Sequence, residues 1–201
     1  RNTAAARVTC QVRLATGDRL QTIGVALAGN VFVLKLPGNT ELSIPADQVT
    51  ALDFSLGKVR YLSQLEPREK NTVPMFDLKR EVEFDRSLFG TPLTLGGKVY
   101  TRGLGIFPQT RIRYRLAGEF SRFRAVAGID DAAPRLKTSV HCTILGDGKP
   151  LFDAEIAPAD APREIDLDVS GVRDFEVFVD FGADHLPIGD FLDLADAKLT
   201  K

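Results

Sequence analysis

Short runs of alternating apolar and polar residues, cut about every 8–12 residues by Gly, Pro, Asn and Asp, are the feature that most restricts this chain. Successive side chains of a strand point to opposite faces, so such runs build half-buried strands; the 3.6-residue period of an amphipathic helix is nearly absent. The chain is expected to be all-β. Strands are expected over 8–14, 20–27, 31–36, 41–44 and 49–54, with turns at Thr16-Gly17-Asp18, Ala28-Gly29-Asn30 and Pro37-Gly38-Asn39. Strands this short and closely spaced suit a small curled barrel of the SH3-like or Sm-like kind, assigned here to residues 1–60.

After Ser55-Leu56-Gly57 the alternation gives way to an irregular stretch from Tyr61 to Asp85 that holds Pro67 and Pro74, which places a domain boundary near residue 60. Residues 61–201 then show strand patterns at 93–95, 98–100, 111–116, 123–129, 137–145, 149–154, 163–169, 174–181 and 191–199, the last of which also suits a short helical turn. About nine strands in some 140 residues is the size of a β-sandwich or jelly roll, whose loops gather at its two ends.

Composition excludes several classes of function. The 201 residues carry 26 Lys plus Arg against 27 Asp plus Glu, a net charge of −1, so no global field gathers nucleic acid. Residues 151–201 hold thirteen acidic and four basic side chains, which argues further against DNA or RNA. No apolar run approaches the roughly 18 residues of a membrane span. The chain opens on Arg1 and small residues without a hydrophobic signal core, so an exported protein would have lost its export signal. Cys10 and Cys142 are far apart and form no CxxC pair; they either bridge or stay free.

The chemistry of common enzymes leaves marks that are missing here. His141 and His185 are the only histidines, and there is no GxSxG elbow, HExxH helix or P-loop. His141 reads as a sheet-face or core residue, whereas His185, in an acidic loop beside Pro187, is the better binding candidate. Asp130-Asp131 is either a turn after a strand or one half of a hydrolytic carboxylate pair, whose separation of about 5–10 Å a sequence does not supply. Arg111, Arg113 and Arg115 leave one face of a strand, either as a comb for an anionic polymer or as a solvated face paired to Glu164, Asp166 and Asp168. Asp184, Asp190, Asp193 and Asp196 crowd beside Gly182 and Gly189; hard oxygen ligands on such loops suit Ca²⁺, with Asp184, Asp193 and Asp196 as candidate ligands, and the alternative is a set of turn residues around one buried Asp.

Taken in order, Asp85-Arg86-Ser87, the run from Leu95 through Gly96-Gly97-Lys98-Val99-Tyr100-Thr101-Arg102 to Gly103-Leu104-Gly105, Gly128-Ile129-Asp130-Asp131, Gly146-Asp147-Gly148-Lys149-Pro150-Leu151, Ser170-Gly171-Val172 and Asp193-Leu194-Ala195-Asp196-Ala197 resemble the NPCBM family of carbohydrate-binding modules over residues 61–201. The resemblance implies a galactose-binding-like jelly roll, non-catalytic and extracytoplasmic, of the kind appended to secreted glycosidases. Three positions depart from the family pattern. Phe107 stands where a His follows Gly-Leu-Gly-x, and Phe191 and Leu194 stand where Asp-His-Ala-Asp-Trp-Ala-Asp has His and Trp. Sugar sites stack a pyranose on an aromatic ring and take its hydroxyls with polar groups. Phe107 and Phe191 are thus the expected platform, and Arg102, Asp130, His185 and Asp190 the expected polar contacts, for a glycan or cell-surface polysaccharide at the loop end. The alternative is a module that serves protein or cell-surface contact, with residues 1–60 as the partner-binding part.

Overall fold

The computed structural model describes residues 9–38, 40–54, 58–74, 80–134, 136–183, 185 and 188–201. Every regular element among them is a strand except two 3₁₀ turns, Ala46–Gln48 and Leu62–Gln64. The chain divides into two compact units, Arg1–Val59 and Arg60–Lys201.

In the first unit β1 (Cys10–Leu14) lies between β2 (Arg19–Thr22) and β6 (Val49–Asp53), while β3 (Gly24–Ala28), β4 (Val31–Lys35) and β5 (Glu41–Pro45) form a second antiparallel sheet. The single run expected over 20–27 is two strands, because the ribbon bends at Ile23 and Gly24 and pairs with β1 before the bend and with β4 after it. The small barrel therefore takes the form of two open three-stranded sheets around Cys10, Val12, Leu34 and Ile44.

The second unit is a sandwich. One sheet runs β17 (Arg163–Asp168), β14 (Arg122–Ile129), β19 (Leu192–Thr200), β12 (Gly103–Ile106), β9 (Glu83–Phe84), with β7 (Val59–Tyr61) also pairing β19. The facing sheet runs β16 (Lys149–Ile156), β15 (Val140–Gly146), β18 (Asp174–Phe181), β13 (Thr110–Arg115), β8 (Glu69–Thr72). Alternation does the sorting: Ile112, Tyr114, Val140, Cys142, Ile144, Phe175, Val177 and Val179 enter the core from one sheet, and Phe123, Ala125, Ala127, Leu192, Leu194 and Leu199 from the other. Phe123 and Phe175 meet across it with ring centroids 4.9 Å apart. Residues 191–199 extend as strand β19, not as a helical turn.

The stretch from Tyr61 to Asp85 is more than a connection. It supplies β8 and β9, and it buries Leu62 and Val82 in the sandwich core. Sequence missed these strands because β8 reads Glu-Lys-Asn-Thr, with no apolar residue to alternate, and β9 has only two residues. The arginine comb also pairs otherwise than expected. Arg113 donates to Glu176 at 2.5 Å and to Glu69 at 2.8 Å, Arg111 also donates to Glu176, and Arg115 donates to Asp174 at 2.7 Å. The acidic strand β17 pairs β14 in the other sheet, so its Asp166 receives Arg122 and Arg124 instead. Both cysteines are free and buried, and burial pushes the Cys142 thiol up to about 12.

A hairpin of β10 (Leu93–Leu95) and β11 (Lys98–Tyr100) lies on the outer face of the β14–β19–β12 sheet, with Leu93 and Leu95 buried beneath it. The sheet accepts it because glycines stand where it presses: a Cβ on Gly103 would come within 2.5 Å of the Leu194 carbonyl and 2.8 Å of Leu93, and one on Gly128 within 2.9 Å of Leu95. Gly103 also holds φ +147°, a conformation that side chains rarely adopt.

Candidate functional site

β12, β14 and β18 all run toward one end of the sandwich, where they close at Ile106, Ile129 and Phe181 and where β15 and β19 open at Val140 and Leu192. Phe107 directly follows β12 and Phe191 directly precedes β19, and because these strands are paired the two rings become neighbours, with centroids 6.0 Å apart. Phe191 is half-buried, and Phe107 is 3% exposed. Phe107 thus supports its neighbour from behind and has no free face for a ligand, a correction to the expected two-ring platform.

The exposed ring of the cluster is one that sequence did not single out. Phe89 is 42% exposed and packs on Phe191 with centroids 4.7 Å apart. Arg80 carries its guanidinium 5.3 Å from the centre of the Phe191 ring and donates to the Leu88 carbonyl at 3.4 Å. Phe89 lies in an irregular turn where the backbone amide of Phe89 donates to the Ser87 hydroxyl at 3.2 Å. No period marks such a residue, and only its size and apolarity in a turn could have drawn attention to it.

The expected polar contacts separate into three places. His185 is exposed in the loop after β18 with φ 55°. Asp190 belongs to the same loop, but it is fully buried and accepts a hydrogen bond from the Thr138 hydroxyl, which ties that loop to the segment before β15. Arg102 lies away from the rings, where it donates to Asp85 at 2.5 Å and covers the Tyr61 ring.

Asp130 is 1% exposed and works inside the fold. Its carboxylate accepts from the backbone amides of Ala132 at 2.8 Å and Thr94 at 3.3 Å, while Asp131 accepts from Gly96 at 3.1 Å and Gly97 at 2.7 Å. The adjacent aspartates are therefore pins that hold the β10–β11 hairpin to the sheet. Beneath the hairpin Asp130 meets Asp193, also 1% exposed; burial first, then the bond to Asp130 and its charge, push the Asp193 acid up to about 10. Burial and the adjoining carboxylate thus hold the proton on Asp193 at neutral pH. Asp193 has no place in a cation site with Asp196, whose carboxylate instead accepts from Lys198 Nζ at 2.6 Å. Asp184 lies outside the described residues, and among those described no group of three or more metal-ligating side chains assembles. Of the expected calcium ligands, Asp193 and Asp196 are thus engaged with other side chains.

His141 binds Asp153 on the neighbouring strand at 2.7 Å, the sheet-face role expected of it. A depression of about 530 Å³ beside Arg68, Arg113, Asp147 and Glu176 lies at the end opposite the ring cluster. Its charges neutralise one another: Arg113 on Glu69 and Glu176, and Asp147 on the backbone amides of Arg173 and Asp174, a hold that keeps the Asp147 carboxyl below its usual range. No unpaired chemistry faces a ligand there.

Comparison with known proteins agrees with this architecture. The NPCBM/NEW2 domain profile matches residues 58–200. A protein of Renibacterium salmoninarum that bears the name of an endo-alpha-N-acetylgalactosaminidase is 36% identical over 85 residues, which is 42% of this chain and 6% of that protein; the chain spans only a small part of this relative. Among solved structures, CBM51 from Clostridium perfringens GH95 in complex with methyl-galactose superposes with a TM-score of 0.64 at 24% identity, over 71% of this chain and 99% of that one. The CBM51-2 and INT domains of Clostridium perfringens ZmpB superpose with a TM-score of 0.64 at 19% identity, over 96% of this chain and 40% of theirs. At these identities the likeness is one of fold. Among the described residues no helix is long and apolar enough to cross a membrane.

Proposed function

The chain belongs to the NPCBM/NEW2 family of carbohydrate-binding modules, and from that premise we propose that it is a non-catalytic, extracytoplasmic module that holds a neutral terminal sugar of a glycan at the ring-bearing end of the sandwich. The observation that carries this reading is Phe89, 42% exposed and backed by Phe191 at 4.7 Å. A pyranose presents an apolar C–H face, and an aromatic ring held rigidly from behind receives it at small entropic cost. Arg80 donates at the margin of the platform, and His185 offers an imidazole from the loop that leads to Phe191. Galactose and the N-acetylhexosamines are the sugars to test first. The GH95 module binds methyl-galactose, the ZmpB CBM51-2 module has been solved with GlcNAc, and the Renibacterium relative is named for cleaving N-acetylgalactosamine linkages.

One platform ring with a few hydroxyl contacts gives a weak site, Kd on the order of 0.1–1 mM. Titration of the full chain with methyl galactoside, GalNAc and GlcNAc, followed by calorimetry or NMR, tests it. Binding of one of them that disappears in Phe89→Ala supports the reading. No binding to any, or binding untouched by that substitution, overturns it.

A further inference from the structure

A second concave surface lies on the hairpin side of the sandwich, away from the rings. It is a cleft of about 270 Å³ lined by Tyr61, Lys98, Tyr100, Thr101, Arg102 and Asp196. That volume is near the lower bound of ligand pockets and suits a single sugar ring.

The backbone is distorted to build it. Asp196 interrupts β19 with φ 51°, its amide donating to the Arg102 carbonyl at 2.8 Å, and the pairing of β14 with β19 shifts register just there. Asp85, at φ 61°, receives Arg102 from the other side. Bulges and left-handed side-chain residues cost energy and concentrate at ligand sites, where they aim a side chain. Here the bulge brings the Asp196 carboxylate to the Tyr61 hydroxyl, and burial together with that negative charge raises the Tyr61 acid above its ordinary value.

The charges of the cleft leave a remainder. Arg102 is paired with Asp85, and Lys198 with Asp196. Lys98 stands 4.8 Å over the Tyr100 ring and, among the described residues, meets no carboxylate. A ring's hold on an exposed ammonium is weak, about 0.5–1 kcal/mol, and a carboxylate displaces it readily.

We propose that this cleft is a second binding site, for a sugar residue carrying a carboxylate. The sugar carboxylate takes Lys98 and draws it off the ring, which frees Tyr100 for the apolar face of the pyranose. The sugar hydroxyls are met by the Asp196 carboxylate as acceptor, the Arg102 guanidinium as donor and the Tyr61 hydroxyl as either. The site stands independently of the ring cluster, since it shares no residue with Phe89, Phe107 or Phe191.

The test is NMR titration of the full chain with methyl β-D-glucuronide and methyl β-D-glucoside. The glucuronide is expected to bind about three- to fivefold tighter, the range that one partly exposed ion pair supplies, with shifts centred on the amides of Lys98 to Arg102. Lys98→Gln removes the preference and Lys98→Arg retains it; Lys98 is exposed, so neither substitution threatens the fold. Phe89→Ala leaves glucuronide binding unchanged. Equal affinity for the two sugars, a preference that survives Lys98→Gln, or glucuronide binding that Phe89→Ala abolishes would each overturn the second site, whatever the outcome for neutral sugars at the ring end.

Discussion

Phe107 and Phe191, the two rings that stand where the family pattern has histidines, touch each other with centroids 6.0 Å apart. Two departures 84 positions apart in the chain are thus one departure in space, since β12 and β19 are paired and end together. The ring that packs on Phe191 from outside, Phe89, is the one left facing solvent.

Truncating the buried ring and the exposed one should therefore give different results. Phe107→Ala removes a buried side chain and is expected to cost about 3–5 kcal/mol of stability. Phe89→Ala is expected to cost well under half of that while removing neutral-sugar binding. Thermal melts alongside a galactoside titration separate the two effects, and a large loss of stability in Phe89→Ala would mean that its ring belongs to the core.

The raised acid of Asp193 predicts a pH dependence of definite sign. Asp193 has an acid raised to about 10 in the folded state against about 3.8 for an ordinary aspartate. The folded chain therefore keeps a proton that the unfolded chain gives up, and the contribution of this group to stability is greatest below about pH 4 and declines as pH rises through that interval toward 10. Asp193→Asn, which keeps a donor for Asp130 and has no proton to lose, is expected to raise the melting temperature at pH 8 and to flatten its fall between pH 5 and 9. An Asn variant less stable than the parent at pH 8 would contradict the pairing.

How much of this was legible in the sequence depended on length of pattern. Strands of five or more residues, such as β13, β15 and β18, announce themselves by alternation; β8 and β9 do not, and β12, read as Gly-Leu-Gly-Ile, hides its alternation because its outward positions are glycines. Asp130 and Asp193 were visible as chemistry-bearing residues, but their destination was not, since a carboxylate on a loop and one pinning a hairpin look alike in one dimension. Of the two readings of the comb Arg111, Arg113, Arg115, the paired face is the one found, yet with Glu176 and Asp174 as partners, since these depend on which strands pair, which no spacing reveals. Phe89 had no signal beyond being aromatic.

The hairpin pins give a third prediction. Asp131→Ala removes acceptors from the amides of Gly96 and Gly97 and is expected to cost about 1–2 kcal/mol, with faster hydrogen exchange confined to residues 94–99. Gly103→Ala should be worse than the usual loss of about 1 kcal/mol, since the added carbon meets the Leu194 carbonyl at 2.5 Å. Exchange that accelerates throughout the sandwich in Asp131→Ala would show the hairpin to be part of the cooperative core.

Calcium provides a fourth. With Asp193 paired to Asp130 and Asp196 to Lys198, the melting temperature is expected to be the same in chelator and in millimolar calcium. A concentration-dependent rise would place a cation among side chains other than these two.

The outer strands of the sandwich have a bearing on how such a unit lives among others. An unpaired strand edge invites pairing with any neighbouring chain, and modules strung along one polypeptide meet at high local concentration. Here β9 has two residues, β8 reads Glu-Lys-Asn-Thr, β16 carries Pro150 beside a break in register, and β17 sets Glu164, Asp166 and Asp168 along its length. None of the four offers a long, flat, apolar template. Crowding such units together should therefore multiply binding sites without fusing sheets, and avidity becomes available without the hazard of aggregation that edge strands usually bring.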